Sequence, residues 1–156
     1  MPTALARDLQ QRKPFANLEE EVFLNVLRTG DVLLQREAQA LRATELTFAQ
    51  YNVLRILRGA GPQGATCGEV GERMVNRDPD VTRLLDRLEA RELVRRSRHA
   101  QDRRVVVAVI TAKALVLLKP LDAAVPRLHR EQLAHMSRAQ LELLAKLLVL
   151  ARTPAS

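Results

Sequence analysis

The 156 residues carry 25 Lys and Arg against 18 Asp and Glu, a formal charge of +7, with 47% hydrophobic and only 3% aromatic residues. That length builds one domain, or one domain with helical extensions, and the basic balance favours a polyanionic partner. The scarcity of aromatics argues against a base-stacking platform for single strands, the single cysteine rules out an internal disulfide, and no apolar run nears the roughly 20 residues of a membrane span.

In chain order, Met1–Ala16 is polar and mixed, with Pro2 and Pro14, and reads as an arm or a frayed start. From Leu18 the residues Val22, Phe23, Val26, Leu27, Leu33, Leu34 and Leu41 recur at helical spacing and predict a long first helix to about Leu41. Gly30 interrupts it at about 1 kcal/mol relative to Ala. Thr47 and Gln50 form a capping box that opens a helix through Tyr51, Val53, Leu54, Ile56 and Leu57, ending near Gly59. Gly59–Gly64 reads as a flexible loop. Thr66 and Glu69 form a second capping box for a short helix through Val70 and Met74.

The next stretch, Asp78–Thr111, organises the rest. Val81, Leu84, Leu85 and Leu88 make one apolar stripe of an amphipathic helix, with Asp78 as its N-cap and Pro79 at its first position. Thr82, Arg83, Asp86 and Arg87 fall on its open face. A strand from Leu93 to Arg96, a loop Ser97–Asp102 and a returning strand Val105–Ile110 follow. Two short helices joined by a tight turn, then an Arg-rich hairpin, are the sequence form of a winged helix-turn-helix. Such a helix enters a major groove, and the hairpin touches the backbone or an adjacent minor groove. Between Val81 and Arg104 eight arginines face four acids, so roughly half of the net charge lies here. An Arg-rich composition throughout the source genome is the bland alternative.

Beyond the hairpin, Thr111 caps a helix carrying Leu115, Val116, Leu118, Leu121, Val125 and Leu128. Pro120 and Pro126 lie within that pattern and predict a kink near Pro120 or two helices there. Ser137 and Gln140 are a third capping box, and the leucines after them cover more than one face. That excess predicts burial against a second copy, the alternative being packing of terminal helices within one chain.

The stretch Leu46–Leu54, the segment Val81–Arg96 and the segment Asp102–Thr111 together resemble MarR-type transcription regulators in order and spacing. The resemblance implies a mainly α fold with a small β-hairpin wing. It also implies an N-terminal arm and dimerisation helix (1–42), a winged helix-turn-helix DNA-binding domain (43–111) and C-terminal dimerisation helices (112–156). It implies a homodimer on a pseudo-palindromic double-stranded DNA operator, acting as a repressor tuned by a small aromatic effector; the single cysteine and the lack of an apolar leader or membrane-length run separately lead us to expect a cytoplasmic chain. Thr82, Arg83 and Arg87 match recognition-helix positions, and Asp102 and Arg104 shape the wing. We add Arg95, Arg98 and Arg103 as further DNA-binding candidates from the hairpin's charge. Phe23 and Tyr51 are candidates for an effector pocket, by the family's geometry. Departures from the pattern are Asp80, where a small residue or Thr is common, Arg91-Glu92 at a helix end that usually carries Gly, and Ala114 in place of Gly. Asp80 suits the helix dipole but repels phosphate.

Other chemistry finds little support. His99, His129 and His135 make no metal-ligand cluster, no catalytic set stands out, and no cofactor is implied. Cys67 sits in the first turn of its helix, with redox sensing as the alternative to a packing role. Arg83 and Arg87 have a structural alternative in ion pairs with neighbouring acids. The competing function is a winged-helix protein–protein assembly module that has lost DNA contact, an idea Asp80 keeps alive. No enzyme activity is expected.

Overall fold

The computed structural model describes residues 3–77, 80–98, 102 and 104–153. Among them run helices α1 (Ala4–Asp8), α2 (Leu18–Leu41), α3 (Phe48–Ala60), α4 (Cys67–Arg73) and α5 (Val81–Ala90). The hairpin of β1 (Val94–Arg98) and β2 (Val106–Ile110) follows, then α6 (Ala112–Leu118), α7 (Leu121–Gln132) and α8 (Arg138–Arg152). The chain is mainly α with a small wing, as its patterning predicts.

Local signals account for most boundaries. The three predicted capping boxes, Thr47/Gln50, Thr66/Glu69 and Ser137/Gln140, all form, opening α3, α4 and α8. Each satisfies two backbone donors that a helix start leaves orphaned. Asn17 caps α2 by accepting from the Glu20 N–H, and Glu19, Glu20 and Glu21 place negative charge against the positive end of its dipole. The N-terminal arm holds the single helical turn α1, capped by Thr3, with Leu5 and Ala6 buried. Pro120 resolves as a boundary between two helices: it is the N-cap of α7, while Pro126 stays inside that helix.

Three expectations change. The predicted cap Asp78 and first residue Pro79 lie outside the described residues; the N-cap of α5 is Asp80, whose side chain accepts from the Arg83 N–H. The first strand runs on through Ser97 and Arg98, which we expected in the loop, because both pair with β2, opposite Val107 and Val106. The first helix, by contrast, reaches Leu41 as expected and runs through Gly30. The glycine-rich segment is ordered: Gly61–Gln63 makes a 3-10 turn, and Ala65 pairs with Ala108 through two backbone hydrogen bonds of 2.8 and 3.0 Å. The wing therefore gains a one-residue third rung.

That rung requires Gly64. Its φ is +69°, and a Cβ there would stand 2.5 Å from the Ala108 carbonyl oxygen. Gly64→Ala is expected to destabilise the chain by about 1–3 kcal/mol, read as a lower thermal midpoint. An unchanged midpoint would mean the rung is dispensable.

The end of α5 stops without glycine. Glu92 adopts φ +59°, its N–H donates to Glu89 O, and the Leu93 N–H reaches back to Leu88 O. This is the paired-bond helix stop that glycine usually makes. The Lys113 ammonium at 2.8 Å holds the Glu92 carboxyl below its usual range, first through that hydrogen bond and then through its charge.

The core lies under α5 and the wing. Leu54 and Leu57 of α3, Val70 of α4, Leu85 and Leu88 of α5, and Leu93 and Val94 leading into β1 are almost fully buried. Leu118, Leu121 and Val125 of α6 and α7 join them. By contrast, α8 contributes no buried residue along its whole length. Its Leu143, Leu147, Leu148 and Leu150 are exposed, as are Leu18, Val22, Phe23 and Val26 of α2. Among the described residues no helix is long and apolar enough to cross a membrane.

Candidate nucleic-acid interface

The helix α5 presents three stripes. Val81, Leu84, Leu85 and Leu88 are buried on the core. Thr82, Asp86 and Glu89 share the side towards the wing. Arg83 and Arg87, one turn apart, point away from the core into solvent. The loop before α5 is pinned, because the Val75 N–H donates to Asn52 Oδ1 of α3 at 2.8 Å. The helix-turn-helix is thus tied to the helix that supports it.

Arg83 is not a bare surface charge. Asp80 accepts the Arg83 backbone N–H with Oδ1 at 3.1 Å and meets its Nε with Oδ2 at 3.2 Å. The anion expected to repel phosphate is the helix cap and the partner of Arg83. Arg87 has no ion-pair partner among the described residues and is exposed. Thr82 is exposed too, but its hydroxyl lies 3.5 Å from Cys67 Sγ and its carbonyl accepts from Arg96. Cys67 therefore sits beside the recognition helix, at the first position of α4.

The wing divides its arginines by strand alternation, since neighbouring side chains point to opposite faces. Arg96 turns in towards α5, where its guanidinium bonds Glu89 at 2.7 Å and Asp86 at 2.5 Å. Its backbone N–H also donates to Glu89 at 3.0 Å. Arg95 points to the opposite face and is exposed; Arg98 is exposed at the end of β1. At the wing tip Asp102 Oδ1 accepts from the Arg104 N–H at 2.9 Å, and the Val105 N–H donates to Asp102 O at 3.0 Å. Asp102 thus shapes the turn that presents Arg104, which is exposed. Arg103 lies outside the described residues.

Thr82, Arg83, Arg87, Arg95, Arg98 and Arg104 accordingly belong to one lobe, on α5 and the adjoining wing. Sequence reasoning missed two arginines with structural roles. Arg96 locks the wing to the recognition helix, a role signalled by the two acids Asp86 and Glu89 at i, i+3 on one face. Arg91 donates to the carbonyls of Glu45 and Thr44 at 2.8 and 3.0 Å, clamping the end of α5 to the junction between α2 and α3. No spacing rule reveals that contact. Replacing Arg96 with Ala leaves Asp86 and Glu89 facing each other without their shared cation. We expect a loss of about 1–3 kcal/mol in stability and a wing no longer fixed relative to α5. A thermal midpoint equal to wild type would remove Arg96 from this role.

Phe23 and Tyr51 are not brought together. Phe23 is 61% exposed and lines a groove of about 580 Å³ with Leu18, Val22, Val26 and Leu148. Tyr51 is 5% exposed in the core, with the Arg55 guanidinium 5.8 Å from its ring centre. Burial pushes the Tyr51 hydroxyl above its ordinary value; Arg55 opposes the rise and Glu37 adds to it. Glu37 is itself buried between α2 and α7, with His129 Nε2 at 3.3 Å. Among the described residues no group of His, Cys, Asp and Glu forms a metal site.

Comparison with known proteins agrees with this geometry. The family model described as MarR family matches residues 46–106, which run from the start of α3 into the second wing strand. A MarR transcription factor from Planctomyces limnophilus is 38% identical, with 87% of this chain and 98% of that one covered and a TM-score of 0.64. The fold also matches Bordetella bronchiseptica BpsR, whose DNA binding is regulated by 6-hydroxynicotinic acid, at 21% identity over 91% of this chain and 100% of that one, with a TM-score of 0.77. It matches CouR from Rhodococcus jostii RHA1, solved with p-coumaroyl-CoA, at 22% identity over 91% and 100% of the two chains, with a TM-score of 0.73. With its recognition helix, its arginine-bearing wing and a 38% identical relative matched over nearly its whole length, this chain belongs to the MarR family of transcription regulators.

Proposed function

We propose that the chain is a homodimeric, sequence-specific repressor that binds a pseudo-palindromic operator in duplex DNA and is released or retained by a small aromatic effector. The observation that carries the dimer is α8, a leucine-rich helix of 15 residues with none buried by its own chain. An apolar face of that size, continued by Leu18, Val22 and Phe23 of α2, calls for a cover, and a two-fold copy provides a self-complementary one. On this reading residues 1–42 and 112–156 form the dimer region, and residues 43–111 form the DNA-binding lobe. Two lobes held at a fixed spacing read two half-sites in successive grooves.

Within each lobe, α5 enters the major groove and brings Arg83 and Arg87 to the DNA. Arg104, with Arg103, reaches the backbone or minor groove, and Arg95 and Arg98 add positive charge along the wing. The assembly-module alternative rests on Asp80, which here caps the helix and pairs with Arg83. The effector reading draws on BpsR and CouR, whose ligands are aromatic. An effector acts by binding the DNA-competent and DNA-incompetent dimers unequally.

Capture of genomic fragments by the purified full-length chain, followed by footprinting, tests the proposal. A protected region with two inverted half-sites about one helical turn apart is the expected result. Uniform capture of all fragments would refute sequence-specific binding.

A further inference from the structure

We propose that Asp80 determines operator specificity through Arg83, making Arg83 a reader of guanine rather than of phosphate. The inference rests on the DNA-binding reading above and adds a base preference to it. A single carboxylate does two things at the start of α5. Oδ1 caps the helix on the Arg83 N–H, and Oδ2 holds Arg83 Nε at 3.2 Å. A guanidinium carries five N–H donors in a planar fork. With Nε engaged, the two terminal nitrogens remain, and they are the pair that bonds O6 and N7 of guanine side by side.

Charge points the same way. Arg83 with Asp80 is a neutral pair, so its attraction to the phosphate backbone is weak. A guanine edge offers two uncharged acceptors and does not compete with Asp80. In solution the pair is exposed, at 76% and 46% for the two side chains, and water screens it. Inside a major groove, with water displaced, the same contact strengthens and holds the fork in register. Arg87, one turn along the same stripe, has no ion-pair partner among the described residues and keeps its full charge for phosphate. The helix thus separates a base-reading arginine from a backbone-binding one.

Selection from a randomised duplex library with the full-length wild type, Asp80→Ser and Arg83→Lys tests this. Serine retains N-cap capacity, so Asp80→Ser removes the partner of Arg83 while keeping the helix start; an unchanged thermal midpoint verifies it. Wild type is expected to enrich a G·C pair at the same place in both half-sites. Asp80→Ser and Arg83→Lys should each reduce that preference by roughly 10-fold and leave the other positions intact. A motif unchanged by Asp80→Ser, with or without an effect of Arg83→Lys, would overturn the role of Asp80 while leaving operator binding standing. A wild type that enriches no motif would overturn the operator reading itself, and this inference with it.

Discussion

The double substitution Phe23→Glu with Leu147→Glu is expected to yield a monomer whose operator affinity falls by roughly 10²- to 10⁴-fold. Phe23 is 61% and Leu147 51% exposed in the single chain, so neither change disturbs the core of the lobe. Both lie on the apolar face that the proposal covers with a second copy. Placing carboxylates there sets two charges against a largely apolar surface, where burial by the second copy would strip their water. Once the copies part, the second half-site must be bound as a separate event, and the gain from linking two lobes disappears. Sedimentation equilibrium reads the mass and fluorescence anisotropy reads the affinity. A variant that remains dimeric would place the interface elsewhere; a monomer with unchanged affinity would refute the paired-lobe mechanism.

Arg104→Ala is expected to weaken operator binding by about 10- to 100-fold, the range of one well-placed arginine contact. Asp102 holds the Arg104 backbone at the wing tip, and the side chain is exposed. Stability should not change, because the side chain packs on nothing in the core. If Arg104 neutralises a phosphate, the dependence of log K on log salt should become shallower by about two, since a dimer carries two wings. If it reads the minor groove, the salt slope should hold and preference for A·T pairs beside each half-site should fall. Full affinity together with an unaltered salt slope would remove Arg104 from the interface.

Local chemistry was readable from the residues because its causes are local. Thr47/Gln50, Thr66/Glu69 and Ser137/Gln140 each contain both halves of a capping box, so three helix starts followed from short spacings. The stripe Val81, Leu84, Leu85 and Leu88 likewise carried its own periodicity. Asp80 was misread because Asp78 and Asp80 are both good caps, and only the backbone path into α5 selects between them. Two arginines that bond between elements were missed. Arg96 meets Asp86 and Glu89 across the turn between helix and wing, and Arg91 finds carbonyls 46 and 47 residues away. Gly64 looked like loop flexibility, although the close approach of Ala108 is what demands it. The pairing of Phe23 with Tyr51 failed for a related reason: helical periodicity places Phe23 on α2 but does not say which face of α2 meets the lobe.

The central claim is that two lobes of this chain, held as a dimer, bind duplex DNA by sequence. The most direct measurement is an anisotropy titration of the wild type against its selected operator duplex and a scrambled duplex of equal composition, repeated from about 50 to 200 mM salt. Two chains per operator are expected, with tighter binding to the operator than to the scramble at every salt concentration. Affinity should fall by roughly 10³- to 10⁵-fold across that range, as about 6–10 phosphate contacts require. Equal affinity for the two duplexes, or binding indifferent to salt, would contradict it.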